Sequence, residues 1–120
     1  MMKRAVLCGV LGCALFASAA TLAANRQQLV ATVGPGSTIS IRTTSGVRVS
    51  TLKSGTYNIL VRDRSRSHSF RLAGPAGSVY RASGRAFVGV TTWKVTLFPG
   101  AYRFWCERHP RTMRGTFRIR

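Results

Sequence analysis

Acidic side chains are almost absent from this chain. Its 120 residues hold two Asp or Glu against 19 Lys and Arg, a formal net charge of +17. The two acids, Asp63 and Glu107, lie far apart in sequence, so neither a paired-carboxylate acid–base arrangement nor a Ser-His-Asp triad can be argued from them. Asp63 reads as a turn residue and Glu107 as an exposed loop residue, and the chain is not expected to be an enzyme. Histidine is equally scarce, with only His68 and His109. No helical stripe of useful length, no internal repeat and no low-complexity linker interrupts the pattern. Beyond the N-terminal stretch nothing is apolar for long enough to be a transmembrane helix. What is present, 45% hydrophobic residues with 12 Gly and 4 Pro, describes one packed domain rather than a disordered chain.

Residues 1–24 read as a secretory signal peptide. Met1-Met2-Lys3-Arg4 is followed by an apolar run from Ala5 to Leu15 and by small residues at Ala17-Ser18-Ala19-Ala20 and Leu22-Ala23-Ala24. The mature domain, residues 25–120, then starts near Asn25 in a periplasmic or extracellular compartment. A rival reading takes Val10-Leu11-Gly12-Cys13 as a lipid-attachment box, but Cys13 leaves only a short apolar core before it. Cleavage near Ala24 removes Cys8 and Cys13 together. One cysteine, Cys106, remains in a compartment where cysteines are usually paired, and metal ligation explains such a thiol better than a buried structural role.

Taking Lys3 and Arg4 from the 19 cations leaves 17 against two acids, a mature net charge of +15. Such a field favours acidic proteins, anionic membrane surfaces touched peripherally, or anionic envelope polymers. Export and the absence of a recognition motif argue against nucleic acid. The Arg residues mostly alternate with apolar ones, as on the solvated outer face of a sandwich. A monomer is expected.

From Gln28 onward the chain is a series of short segments with a period of two, separated by Gly, Pro and Ser clusters. Strands are expected at Leu29–Val33, Thr38–Thr43, Val47–Leu52, Thr56–Arg62, His68–Leu72, Trp93–Leu97, around Tyr102–Cys106 and at Thr116–Arg120. Ser78 to Val90 reads as a loop with one short strand near Phe87. Roughly seven to eight short strands with turn signals every 8–12 residues or so indicate an all-β sandwich. Alternation places His68 with Phe70 and Leu72 on one face, and Cys106 with Phe104 and Tyr102 on another core-facing one, while Trp105 points outward. Trp105 is then either a docking contact or packed beneath a neighbouring loop.

Within Trp105-Cys106-Glu107-Arg108-His109-Pro110-Arg111-Thr112-Met113, a thiol, an imidazole and a thioether are spaced by two and then three residues. One short loop can therefore wrap a single ion, and His68 supplies a second imidazole from upstream. Soft and borderline donors are concentrated here in a chain otherwise poor in them. Zinc also accepts Cys and His, but its sites seldom recruit a thioether, so Met113 tilts the choice toward one copper ion. Two His, one Cys and a weak axial Met form the donor set of a blue-copper electron-transfer centre. Pro110 keeps His109 extended, and Gly115 lets the chain turn back into its last strand.

These residues, with the surrounding Ser67-His68-Ser69-Phe70-Arg71-Leu72-Ala73-Gly74-Pro75 and Val95-Thr96-Leu97-Phe98-Pro99-Gly100-Ala101-Tyr102-Arg103-Phe104, resemble the cupredoxin family, the plastocyanin- and amicyanin-like small blue copper proteins. The resemblance implies a Greek-key β-sandwich or barrel with copper at one end. It further implies His68, Cys106 and His109 as equatorial ligands, Met113 as the axial one, and electron passage through the solvent-facing edge of His109. Many relatives carry Asn directly after the first ligand, where it ties the two ligand-bearing segments together; this chain has Ser69, which puts site rigidity and potential in question more than binding.

The expected function is an exported single-electron carrier cycling between Cu(II) and Cu(I), with acidic redox partners selected by Arg108, Arg111 and Arg114 around the ligand loop. The alternative is a copper-handling protein that delivers or sequesters the ion. A third reading is a basic module for anionic envelope polymers.

Overall fold

The computed structural model describes residues 27–120. The expected leader with its cleavage site, and Cys13, lie outside the described residues. Nine strands form two sheets: β1 (Gln28–Val33), β2 (Ile39–Thr43), β3 (Thr51–Leu52), β4 (Gly55–Asp63), β5 (Arg71–Ala73), β6 (Tyr80–Ala82), β7 (Gly89–Leu97), β8 (Gly100–Trp105) and β9 (Arg114–Ile119). The four-stranded sheet runs β2-β1-β4-β7 and the five-stranded sheet β3-β9-β8-β5-β6. Both are mixed, because β1 lies parallel to β4 and β3 parallel to β9 while the other pairs are antiparallel. Among the described residues no helix is long and apolar enough to cross a membrane.

The period-two pattern is what closes the sandwich. Tyr57, Ile59, Val61 and Asp63 of β4 are buried while Asn58 and Arg62 are exposed, and Tyr102 and Phe104 of β8 are buried while Ala101 and Arg103 are exposed. Inward residues of the two sheets meet in one core that includes Leu29, Ile59, Leu72, Leu97, Phe117 and Ile119. Part of this core is aromatic. Phe70 stacks on Phe104 with ring centroids 5.6 Å apart, Trp93 lies 6.1 Å from Phe70, and Tyr102 stacks on Phe117 at 5.2 Å. The Tyr102 hydroxyl donates to the Phe98 carbonyl at 2.9 Å and accepts from the Phe98 amide at 2.8 Å, which closes the turn between β7 and β8.

Several expectations need correction. Among the described residues there are nine strands, close to the expected seven to eight; the short strand of Ser78–Val90 is β6, with β7 starting at Gly89, whereas Phe87 lies outside any strand. Val47–Leu52 shrinks to Thr51–Leu52 plus a single bridge between Arg42 and Arg48, since Gly46 turns the chain just before it. The fifth strand starts at Arg71, not His68. Backbone donors of the two residues ahead of it go to side chains, Ser69 N to the Cys106 sulfur and Phe70 N to Ser83 Oγ, so no ladder forms there. Strand β8 likewise stops at Trp105, one residue before Cys106. Gly115 is not a turn residue. It sits in β9 opposite Phe104, and a Cβ there would overlap the Phe104 ring.

Candidate metal centre

Four sequence-predicted donors lie on two segments at one end of the sandwich. His68 is carried by the connection between β4 and β5, and Cys106, His109 and Met113 by the connection between β8 and β9. The structure brings three of them together. The Cys106 sulfur stands 3.7 Å from His68 Nδ1 and 3.8 Å from His109 Nδ1, and the three ligand atoms all lie within 4.8 Å of one another. The two imidazole rings meet edge to face with centroids 4.8 Å apart. Met113 is buried in the same core cluster, and its backbone carbonyl accepts the Cys106 amide at 2.9 Å.

Burial differs sharply among the four. Cys106, Met113 and His68 are 0%, 1% and 8% exposed, whereas His109 is on the surface. The core therefore closes over three donors and leaves one facing solvent.

The ligand loop is a closed unit. His109 N donates to Cys106 O at 3.2 Å, Met113 N to His109 O at 2.9 Å and Cys106 N to Met113 O at 2.9 Å, so each donor residue on the loop is hydrogen-bonded through its backbone to another. No helix passes through it, in keeping with Pro110 directly after His109. Ser69 joins this loop to the His68 segment. Its amide points to the Cys106 sulfur at 3.5 Å and its hydroxyl accepts the Glu107 amide at 3.3 Å. The hydroxyl thus provides a direct tie between the two segments.

Both carboxylates act as fasteners, one on each segment. Asp63 is a turn residue as expected, and a buried one: it is 1% exposed, with Oδ1 accepting Ser65 N at 3.1 Å and Oδ2 accepting Ser83 Oγ at 3.4 Å. Burial raises its pKa from the ordinary aspartate value, against the opposing pull of the Ser65 and Ser83 hydrogen bonds and nearby His68. Ser65 O in turn accepts the His68 amide at 3.3 Å, and Ser83 Oγ accepts the Phe70 amide at 2.8 Å. Glu107, expected on the open surface, is instead held by Arg71 and Arg85, each at 2.6 Å. The Arg85 hydrogen bonds, reinforced by Arg71 and opposed by partial burial, bring its pKa down to about 2. Arg71 also donates to the Tyr80 hydroxyl at 2.6 Å, which leaves its Nε buried without a partner. Ser83, Arg71 and Arg85 were not singled out from the sequence. They are distant in the chain from the donors they support, and no local motif marks them.

The donor spacing fits a metal. An ion about 2.0 Å from an imidazole nitrogen and about 2.3 Å from a thiolate, in tetrahedral to trigonal geometry, separates those two atoms by about 3.5 to 3.7 Å. Both observed separations lie close to this range. A single thiolate and two imidazoles, with Met113 buried on the same loop, form a softer set than zinc usually recruits and suit copper.

The architecture is that of known copper proteins. Reduced rusticyanin matches with a TM-score of 0.55 at 17% identity over 78% of each chain. Rusticyanin from Thiobacillus ferrooxidans matches with a TM-score of 0.53 at 19% identity over 78% of this chain and 76% of that one. A Cu(I) form of an amicyanin variant matches with a TM-score of 0.50 at 16% identity over 78% and 83%. No protein-family model matches the sequence, and no curated protein matches it. At these identities the likeness establishes the fold, which is the cupredoxin sandwich.

Proposed function

We propose that this protein is an exported single-site blue copper protein that carries single electrons between redox partners outside the cytoplasm. His68, Cys106 and His109 would hold the ion, with Met113 as a fourth, weaker donor from the same loop. The observation that carries this reading is the convergence on the Cys106 sulfur of His68 Nδ1, at 3.7 Å from a segment 38 residues upstream, and of His109 Nδ1, at 3.8 Å from the same loop. When bound, copper supplies a one-electron couple between Cu(II) and Cu(I). The chain's own residues do the rest. The Cys106 thiol must lose its proton to bind, and the imidazoles bind neutral. Hydrogen bonds within the ligand loop, with Ser69 across to the other segment, hold the donors so that little has to rearrange as charge changes. The buried side of the site excludes water, while exposed His109 gives a partner its point of approach.

Substrate turnover is not part of the proposal. Asp63 and Glu107, the two carboxylates of the sequence, are both engaged in structural contacts. The protein acts as a monomer, and the cationic surface around the loop, Arg108, Arg111 and Arg114, selects acidic partners. Burial of three of the four donors favours retention of the ion over delivery to an acceptor.

The test is to load the mature protein with Cu(II) and record visible and electron-paramagnetic-resonance spectra with Cys106→Ser as control. A strong thiolate-to-copper band that disappears in the variant supports the site; a weak spectrum unchanged by the substitution rejects it. Transfer of Cu(I) to a chelating acceptor then separates the two roles. Slow release supports a carrier, and rapid release supports copper handling.

A further inference from the structure

The outer face of the five-stranded sheet carries a groove beside the metal centre. Alternation that buries Tyr102, Phe104 and Phe117 turns Arg103, Trp105, Arg114 and Thr116 outward. The ladder places Trp105 opposite Arg114 and Arg103 opposite Thr116, so Arg103 and Arg114 are diagonal neighbours across β8 and β9. A groove of about 710 Å³ runs between them, with Trp105 and Pro110 among its walls. The Arg103 guanidinium carbon lies 4.9 Å from the centroid of the Trp105 ring, a cation held over an aromatic face.

Charge balance says what is missing from this groove. The sequence has two acidic side chains, Asp63 and Glu107. Asp63 is buried on Ser65 and Ser83, and Glu107 is occupied by Arg71 and Arg85. No Asp or Glu of this chain is left for Arg103 or Arg114, and both are exposed. Two guanidiniums able to grip carboxylates bidentately therefore flank an aromatic wall with their natural partners absent.

We infer that this groove binds an extended acidic peptide segment of a partner protein, in which two acidic residues flank an apolar or aromatic one. Diagonal positions on adjacent strands are about 7–8 Å apart, and alternate residues of an extended peptide are separated by about 6.6 Å. An acidic-apolar-acidic triplet thus sets its outer carboxylates on Arg103 and Arg114. Its middle side chain rests against Trp105 and Pro110. The concavity disfavours a flat membrane, and the aromatic wall gives a uniformly charged polymer nothing to match. Pro110 follows His109 directly, so the bound segment ends beside the exposed imidazole. The partner's redox role rests on the proposed function, whereas peptide binding needs no metal.

The experiment measures fluorescence anisotropy of a fluorescein-labelled peptide of Asp-Phe-Asp repeats with the metal-free mature chain, at several salt concentrations. Arg103→Ser with Arg114→Ser is expected to weaken binding about tenfold, and Trp105→Ala severalfold. Arg48→Ser with Arg62→Ser, which removes the same charge from exposed positions elsewhere, should weaken it less than about twofold. Arg103→Lys with Arg114→Lys, which keeps the charge and loses the bidentate fork, should fall between, and thermal melts identify any variant that fails to fold. Equal losses in the two serine pairs would mean a general field and overturn the proposal. So would phosphatidylglycerol vesicles or polygalacturonate losing affinity on the groove substitutions while the peptide does not. The copper band, recorded separately, reports on the metal reading and leaves this outcome distinguishable from it.

Discussion

Asp63→Ala tests whether a buried carboxylate positions the first histidine. Removing it strands two donors, Ser65 N and Ser83 O–H, and Ser83 is 8% exposed. A buried polar group left without its partner costs about 1–3 kcal/mol. Ser65 is only half-buried, so water replaces part of its bond and its cost falls at the low end. Relief of the buried charge offsets some of the total, which leaves about 2–3 kcal/mol of lost stability. For a domain of this size each kcal/mol moves the midpoint by about 4–8 °C, so the metal-free protein should melt about 10–20 °C lower. Asp63→Asn keeps one acceptor oxygen without the charge and should cost no more than about 1 kcal/mol. The pH dependence has a definite sign. A carboxyl whose folded pKa is raised above its usual 3.8 contributes stability that is complete below 3.8 and lost as pH rises through the folded value. The Asn variant should therefore gain on the wild type as pH increases across that window. Thermal denaturation of the metal-free forms reads the stability, and exchange of the His68 amide, bonded to Ser65 O, reads the local effect. A midpoint within about 2 °C of wild type for the Ala variant, or equal losses for Ala and Asn, would refute the reasoning.

Glu107→Gln should remove an acid-sensitive share of stability. With Glu107 depressed to about 2, that share is present above 4.5 and disappears as pH falls toward 2, so denaturation midpoints of the two metal-free proteins should converge over that range. Gly115→Ala should destabilise by about 1–3 kcal/mol in denaturant titrations, because the new methyl overlaps the Phe104 ring beneath the site. Tyr102→Phe should cost about 1–2 kcal/mol in the same assay, since it strands both the amide and the carbonyl of Phe98. Ser69→Ala removes the acceptor of the Glu107 amide and should broaden the copper spectrum and lower copper affinity more than it lowers the melting point of the metal-free chain.

Alternation made most of the fold legible, because a half-buried sheet forces a period of two on side chains whatever its partners are. Trp93–Leu97 and Thr56–Arg62 were readable for that reason, and each lies inside a longer observed strand. His68 shows where such reading stops. Alternation assigned it to an inward strand face, and it is buried, yet His68, Ser69 and Phe70 are all buried in succession outside any strand. What turns His68 inward is the turn pinned by Asp63 and the side-chain partners that take the next two backbone amides. That Cys106, His109 and Met113 share one short loop was legible from spacing alone, and their relative positions follow from local hydrogen bonds.

The supports were not legible, and the reason is sequence distance. Asp63 works through Ser83, 20 residues away, and Glu107 through Arg85 at 22. Nothing in either neighbourhood announces such pairings; they exist only once the sheets have brought β5, β8 and the connection after β6 together. Scarcity of acid nevertheless has a structural meaning. With two carboxylates for the whole chain, one fastens the segment that bears His68 and the other, through Arg71 and Arg85, the segment that bears Cys106, and neither is left to neutralise the other arginines on the outer faces. The same distribution that ties down the two donor-bearing segments thus leaves most of the surrounding cationic surface uncompensated, so fastening of the site and the excess of positive charge around it come from one compositional bias.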